Sequence, residues 1–190
     1  LADLQETIRQ CQRGDALAWE ALIKAHQGRV YAAAFYYFRN KEESQDATQE
    51  TFLRAYRNLS RFRSEESSFV SWLMAIARNT CIDLLRRRDT RARFEQQAAT
   101  DPATTVDESD NPERQTSLEE RRQMIYDALD GFSEVTREIL LLKDIHGLRL
   151  EEVAKILSLP LGTVKSRSNR ARIQLAKSLS ERLVDESGTC

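Results

Sequence analysis

Residues 150–179 constrain the fold more than any other stretch of the chain. Val153, Ile156 and Leu157 recur at helical spacing, the run breaks at Ser158-Leu159-Pro160, and Val164, Ala171, Leu175 and Leu179 then resume a helical stripe. The second segment carries Lys165, Arg167, Arg170 and Arg172 on its polar side. A short helix, a tight break and a basic helix whose first residues are small and polar match the layout that sets side chains into a DNA major groove. This spacing predicts a helix-turn-helix.

The rest of the chain reads as helix too. Hydrophobic residues make up 41% of it, enough for real cores, while 6 Gly and 3 Pro in 190 residues leave little material for turn-rich sheets. Leu4, Ile8 and Cys11 form a first apolar stripe, ended at Gly14, with Asp15 placed to cap a second helix through Leu17, Trp19, Leu22 and Ile23. A break is expected near Gly28, followed by a third helix over 29–39 with Val30, Ala34, Phe35 and Phe38. A fourth is expected over 43–59, with Ala47, Thr51, Phe52, Ala55 and Leu59 inward. A polar loop, 63–67, precedes a long helix from Ser68 to Arg88 or beyond, with its stripe at Phe69, Trp72, Leu73, Ile76, Leu84 and Leu85.

Periodicity fails over 96–116, which is rich in Ala, Thr, Asp and Pro and reads as a flexible acidic linker. Helices resume over 118–129, and again after Gly131-Phe132-Ser133, with Ser133 the expected N-cap of a segment holding Ile139 to Leu142 and stopping at Gly147. The expected architecture is all-α: a domain over 1–95, the linker, and a second domain over 117–190.

The formal net charge of −1 hides a pattern: 78–93 and 160–182 are strongly basic, and the connector is acidic. Cys11, Cys81 and Cys190 are odd in number and lack a CxxC pair, so neither a disulfide framework nor a zinc site is expected, and a reducing cytoplasm is. Cys11 and Cys81 read as core residues. No run of about 18 apolar residues and no export signal pattern occurs, so membrane insertion and export are not expected. The chain starts at Leu1 rather than Met, and a few native residues are expected to precede it. His26 and His146 are the only histidines. Without a Gly-rich phosphate loop, metal-spaced cluster or nucleophile elbow, neither a cofactor nor enzymatic chemistry is expected. A stand-alone helix-turn-helix regulator is the competing DNA-binding class.

The first half carries a distinctive string: Asp46-Ala47-Thr48-Gln49-Glu50-Thr51-Phe52-Leu53-Arg54-Ala55-Tyr56, Phe62-Arg63, Ser68 to Leu73, Ile76-Ala77-Arg78-Asn79 and Asp83-Leu84-Leu85-Arg86-Arg87. It resembles region two of the bacterial extracytoplasmic-function sigma factors. Gly162-Thr163-Val164-Lys165-Ser166-Arg167 and Arg170-Ala171-Arg172 are similar to their region four, and Asp110-Asn111-Pro112-Glu113 resembles the stretch before it. The resemblance implies a subunit that binds core RNA polymerase, recognises promoter DNA in duplex and single-stranded form, helps melt it, and is held by an anti-sigma factor. No obligate homo-oligomer is expected.

Carried onto this chain, the resemblance places polymerase contacts at Asp46, Gln49, Glu50 and Arg54. It places minus-ten contacts at Arg78, Asn79, Asp83, Arg86 and Arg87. Asn79 offers donors and an acceptor to a base edge. Asp83 is suited to accept from a cytosine amine, and Arg88, Arg91 and Arg93 extend the phosphate-neutralising run. The loop from Ser64 to Ser68 is implied to wall a flipped-base pocket, and it is about one residue longer than in some relatives. Trp72 and Phe69 could stack on bases, but their spacing favours the core. Minus-thirty-five contacts fall on Thr163, Lys165, Ser166, Arg167, Asn169, Arg170 and Arg172, with Arg167 and Arg172 on phosphates. Three positions depart from the family pattern: Asn169 replaces an apolar or aromatic residue, Ser168 an aliphatic one, and Arg149 a Ser N-cap. The linker acids Asp101, Asp107, Glu108, Asp110 and Glu113 suit a path through a positively charged channel.

Overall fold

The computed structural model describes the backbone of residues 2–98 and 128–187, and the side chains of 4–94 and 128–177. Backbone proximity divides the chain into two compact units, Leu1–Ala99 and Thr100–Cys190. All regular structure among the described residues is helical.

In the first unit, α1 (Ala2–Gln12) buries Ile8 and Cys11, and Gly14 turns the chain at φ +92. Asp15 caps α2 (Ala16–Phe38): its Oδ1 accepts from the backbone N–H groups of Leu17 at 2.9 Å and Ala18 at 3.1 Å. The expected break at Gly28 does not occur, and α2 runs through it. Ala18, Leu22, Val30, Ala33 and Ala34 are buried along one side of α2, while Gly28 is exposed on another. Glycine costs about 1 kcal/mol in a helix interior, and the burial on either side outweighs it. Leu17, expected inward, is 78% exposed, because it lies about 100° round the helix from the Ala18–Leu22 stripe.

Arg39, at φ 51, ends α2, and Asn40 starts α3 (Lys41–Asn58) by accepting the Glu43 N–H on its Oδ1 at 3.0 Å. The buried side of α3 is Ser44, Ala47, Thr51, Phe52 and Ala55. Its two buried hydroxyls donate to carbonyls one turn back, Thr51 Oγ1 to Ala47 O at 2.7 Å and Ser44 Oγ to Asn40 O, so neither is stranded. A 3-10 turn, Leu59–Arg61, follows, and Gln12 Nε2 ties α1 to it by donating to Leu59 O at 2.9 Å.

The long α4 spans Phe69–Ala98, three residues into the stretch expected to be linker. It buries Phe69, Leu73, Met74, Ala77, Thr80 and Cys81; Trp72, Ile76, Leu84 and Leu85 are half-buried. Where α2, α3 and α4 meet, Ala34, Ala47 and Cys81 form a small-residue junction. Burial pushes the Cys81 thiol up to about 12, so it packs as a neutral apolar group, and it and Cys11 are unbonded.

The second unit opens with helical Ala128 and Leu129, both buried. Ser133 precedes α5 (Glu134–Leu140) in the extended N-cap conformation, but its side chain makes no cap bond and instead pairs with Thr136 Oγ1 at 2.9 Å. A π turn, Leu141–Ile145, continues α5, and Ile139 to Leu142 are buried in succession. Gly147, at φ +70, ends the segment.

The helix-turn-helix follows. α6 (Leu150–Leu157) starts at Arg149, whose side chain cannot accept a hydrogen bond. Only the reciprocal half of a capping box is made: Glu152 Oε2 accepts the Arg149 N–H at 2.9 Å. α6 ends with Ser158 in the left-handed region at φ 53, Ser158 N–H on Lys155 O at 3.3 Å and Leu159 N–H on Ala154 O at 3.0 Å. This is a Schellman arrangement without its usual glycine. Pro160 O then accepts from Thr163 at 2.9 Å and Val164 at 3.1 Å, starting α7 (Leu161–Ser187). The linker from residue 99, most of the helix expected over 118–129, the side chain of Leu179 and all of Cys190 lie outside the described residues.

A Cβ at Gly28 meets open space on a helical backbone, so Gly28→Ala raises stability by about 0.5–1 kcal/mol in denaturant titration; a loss would mean that the helix breaks there after all. Arg149→Ser supplies the missing cap acceptor, worth about 1 kcal/mol, and slows hydrogen exchange at the Glu151 and Glu152 amides about fivefold.

Candidate nucleic-acid interface

Helical geometry groups the expected minus-ten residues on α4. Asn79, Asp83, Arg86 and Arg87 are exposed and one turn apart, while Arg78 is half-buried. Arg86 and Arg87 have no ion pair among the described residues. Arg88 differs: its Nη1 lies 3.2 Å from both carboxylate oxygens of Glu43, tying α4 to the start of α3. The free cations on this surface are therefore fewer than the arginine run suggests.

The preceding loop is anchored at both ends by aromatic packing. Phe62 and Phe69 are buried, with centroids 5.6 Å apart, and Trp72 sits 5.3 Å from Phe62 and 5.6 Å from Phe69. Phe69 is thus core, and the half-buried Trp72 is held by its neighbours. Within the loop, Arg63 Nη1 donates to Ser60 O at 2.9 Å. Beneath it, the His26 ring lies 5.3 Å from Phe69 with its Nε2 buried and without a hydrogen-bond partner. Burial, with Arg29 nearby, lowers the His26 pKa from its ordinary value. His146 is likewise buried.

Of the residues expected to meet polymerase, Asp46 and Gln49 are exposed on α3. Glu50 and Arg54 are half-buried and turned toward each other, Arg54 Nε donating to Glu50 Oε1 at 2.8 Å, and Arg54 Nη1 donates onward to Asp83 Oδ2 at 2.7 Å. These two acceptors raise the Arg54 pKa, so its charge is secure. The structure thus joins one residue of the α3 set to one of the α4 set. Beside Gln49, sequence reasoning missed a mostly apolar cleft of about 570 Å³ walled by Trp19, Ile23, Phe52, Leu53 and Tyr56. Leu53 is 51% and Tyr56 55% exposed. Both fall off the Ala47–Thr51–Ala55 stripe, a signal that could have marked them.

In the second unit, α7 buries Val164, Ser168 and Ala171. Ser168 fills the stripe position where an aliphatic residue was expected. Lys165, Ser166, Arg167, Asn169, Arg170 and Arg172 are exposed, and Thr163 is half-buried. From Thr163 to Arg172 the helix rises about 14 Å at about 1.5 Å per residue, comparable with a major groove about 12 Å wide. Ser166 Oγ donates to Thr163 O at 3.1 Å, and Arg172 Nε lies 3.6 Å from Asp144 Oδ1, which also holds Lys143 Nζ at 3.2 Å. Arg172 is therefore partly neutralised, whereas Lys165, Arg167 and Arg170 have no ion pair among the described residues. Ile173, 66% exposed, continues this face. Among the described residues, no helix is long and apolar enough to cross a membrane, and no cluster of His, Cys, Asp or Glu is placed to hold a metal.

Residues 22–91 match the family model of sigma-70 region 2, and residues 122–175 that of sigma-70 region 4. The RNA polymerase sigma-H factor of Pseudomonas aeruginosa is 31% identical over 180 residues, covering 92% of this chain and 93% of that protein. The ECF RNA polymerase sigma-E factor of Haemophilus influenzae is 31% identical over 173 residues, covering 88% and 90%. Among solved structures, CnrH in complex with the cytosolic domain of CnrY matches with a TM-score of 0.66 at 22% identity, over 92% of this chain and 96% of that one. The sigma factor RpoE of Bartonella quintana, in complex with the anti-sigma factor NepR, matches at 0.62 and 23%, over 85% and 96%. These two likenesses establish a shared fold.

Neutral His26 is favoured in the folded state, so its contribution to stability is present above the unfolded pKa of about 6.5 and is lost as pH falls below it. His26→Gln removes that titration. The unfolding midpoint of the wild type, taken relative to His26→Gln, falls between pH 7.5 and pH 5.5; a constant gap would contradict the burial argument.

Proposed function

The chain belongs to the extracytoplasmic-function family of RNA polymerase sigma factors, and from that premise we propose which surfaces perform promoter-specific initiation. Residues 1–95 act as the region-two domain, 96–116 as the tether and 117–190 as the region-four domain. Asp46, Gln49 and Glu50 on α3 meet core polymerase, and the neighbouring apolar cleft suits a protein partner better than DNA. A desolvated aromatic and aliphatic wall beside a polar rim is how protein interfaces are commonly built.

Asn79 reads an unpaired minus-ten base, with Arg78, Arg86 and Arg87 on flanking phosphates. The observation that carries this assignment is the exposure of Asn79, Arg86 and Arg87 on one face of α4. An amide there can donate to and accept from a base edge, and the adjacent guanidiniums supply affinity without sequence preference. Capturing the base out of the stack favours the melted state, so recognition and melting are one act.

On α7, Lys165, Ser166, Asn169 and Arg170 face minus-thirty-five base edges. Thr163, Arg167 and Arg172 position the helix, Arg172 more weakly because it shares charge with Asp144. The protein has no catalytic role and works in the cytoplasm, where its polymerase is. An anti-sigma factor holds it until a signal. The likeness to the sigma factor RpoE solved with the anti-sigma factor NepR supports that reading.

Run-off transcription with core polymerase on a set of promoter fragments tests the proposal. Specific transcripts appear only with the protein. Asn79→Ala lowers selectivity at one minus-ten position roughly 5- to 150-fold, the range of a lost base contact. If core polymerase is never redirected while the protein alone retains duplex DNA, the chain acts as a stand-alone regulator and the α3 assignments are wrong.

A further inference from the structure

Arg54 and Asp83 stand on different helices, and the sequence pattern gives them different tasks. Arg54 belongs to the α3 surface expected to meet polymerase, and Asp83 to the α4 surface expected to read a base. Yet Arg54 Nη1 reaches Asp83 Oδ2 at 2.7 Å while its Nε holds Glu50 Oε1 at 2.8 Å. The guanidinium is the enclosed member, with its side chain 22% exposed against 52% for Asp83 and 33% for Glu50. Asn58 Nδ2 donates to Arg54 O at 2.8 Å, fixing the backbone from which the arginine springs. A planar fork directed at two carboxylates in set directions is a geometry that lysine cannot reproduce.

We propose that Arg54 is a positioning residue for minus-ten readout and that Asp83 is its anchor rather than a base reader. This rests on the minus-ten reading of α4 given above. Asp83 lies one turn from both Asn79 and Arg87, in the middle of the face turned to an anionic strand. An unpaired carboxylate there would repel phosphates; the Arg54 guanidinium, shared with Glu50, offsets part of that charge from behind. The same bond pins α3 to α4 one turn from Asn79, so the angle at which the amide meets its base is set by a contact reaching across from α3. The α3 surface left to polymerase is then Asp46, Gln49 and Glu50 with the Leu53 and Tyr56 wall of the cleft.

The test measures core-polymerase affinity and minus-ten selectivity side by side, the latter by run-off transcription from promoters varied at each minus-ten base. Arg54→Ala and Asp83→Ala each lower selectivity by about fivefold, and the double variant is no worse than either single change, as a shared contact requires. Core affinity stays within about twofold. The swapped pair, Arg54→Asp with Asp83→Arg, recovers selectivity, which a general loss of stability would not allow. Arg54→Lys, which keeps the charge and the stem, gives an intermediate loss and covers the case in which the alanine variant folds poorly.

Three results overturn the proposal. One is a fall in core affinity of about tenfold for Arg54→Ala with selectivity intact. Another is a relaxed preference at a single base for Asp83→Ala that Arg54→Ala does not share. The third is unchanged selectivity in both. A wild-type protein that yields no promoter-selective transcripts defeats the minus-ten reading itself, whatever the variants do.

Discussion

Three side chains of minimal size, Ala34, Ala47 and Cys81, meet where α2, α3 and α4 cross, and each is at most 1% exposed. Interhelical distance is set by the side chains at the contact, so this junction draws the three axes close. Much of the rest follows from that approach. With α3 and α4 so near, Arg54 spans to Asp83 on one side of the junction and Arg88 to Glu43 on the other. Tyr37, Phe38 and Leu84 close the periphery. A larger residue at any of the three positions would overpack the crossing, lengthening both ion pairs and rotating the face that carries Asn79.

The electrostatics are organised by pairing rather than by excess. In a chain of net charge −1, carboxylates hold selected arginines in place and leave others unpaired. Arg54, Arg88 and Arg172 are engaged by Asp83, Glu43 and Asp144, while Arg86, Arg87, Lys165, Arg167 and Arg170 have no ion pair among the described residues. Exposed pairs of this kind contribute little to stability, about 0–1 kcal/mol. Their value lies in orientation: they decide which cations remain available and in which direction the neighbouring polar side chains point.

Much of this was legible in the sequence where the signal is local. The Asp15 cap, the stripe Ala47–Thr51–Ala55–Leu59, the Ser158-Leu159-Pro160 break and the exposure of Asn79, Lys165 and Arg170 all follow from helical period and end chemistry. Failures occurred where a local rule met a tertiary one. Gly28 reads as a break, but its cost is small beside the burial of Leu22 and Val30 on the same helix. Ser133 has the right residue type for a cap, yet its hydroxyl prefers Thr136. Leu17 is apolar and helical but sits off the packed stripe. What no local pattern could reveal is pairing across helices: Arg54 with Asp83 and Glu43 with Arg88 are 29 and 45 residues apart. The cleft around Trp19 and Tyr56 likewise exists only once α2 and α3 are packed.

In the proposed function, one face of α4 holds an unpaired promoter base while α7 lies in duplex DNA. A photo-crosslinking side chain placed at position 79, and separately at position 169, in the complex with core polymerase and promoter DNA tests it directly. Position 79 is expected to crosslink to a single minus-ten base of the non-template strand, and only when polymerase is present. Position 169 should crosslink to the minus-thirty-five duplex. A position-79 crosslink confined to duplex DNA, or one formed equally well without polymerase, would contradict it.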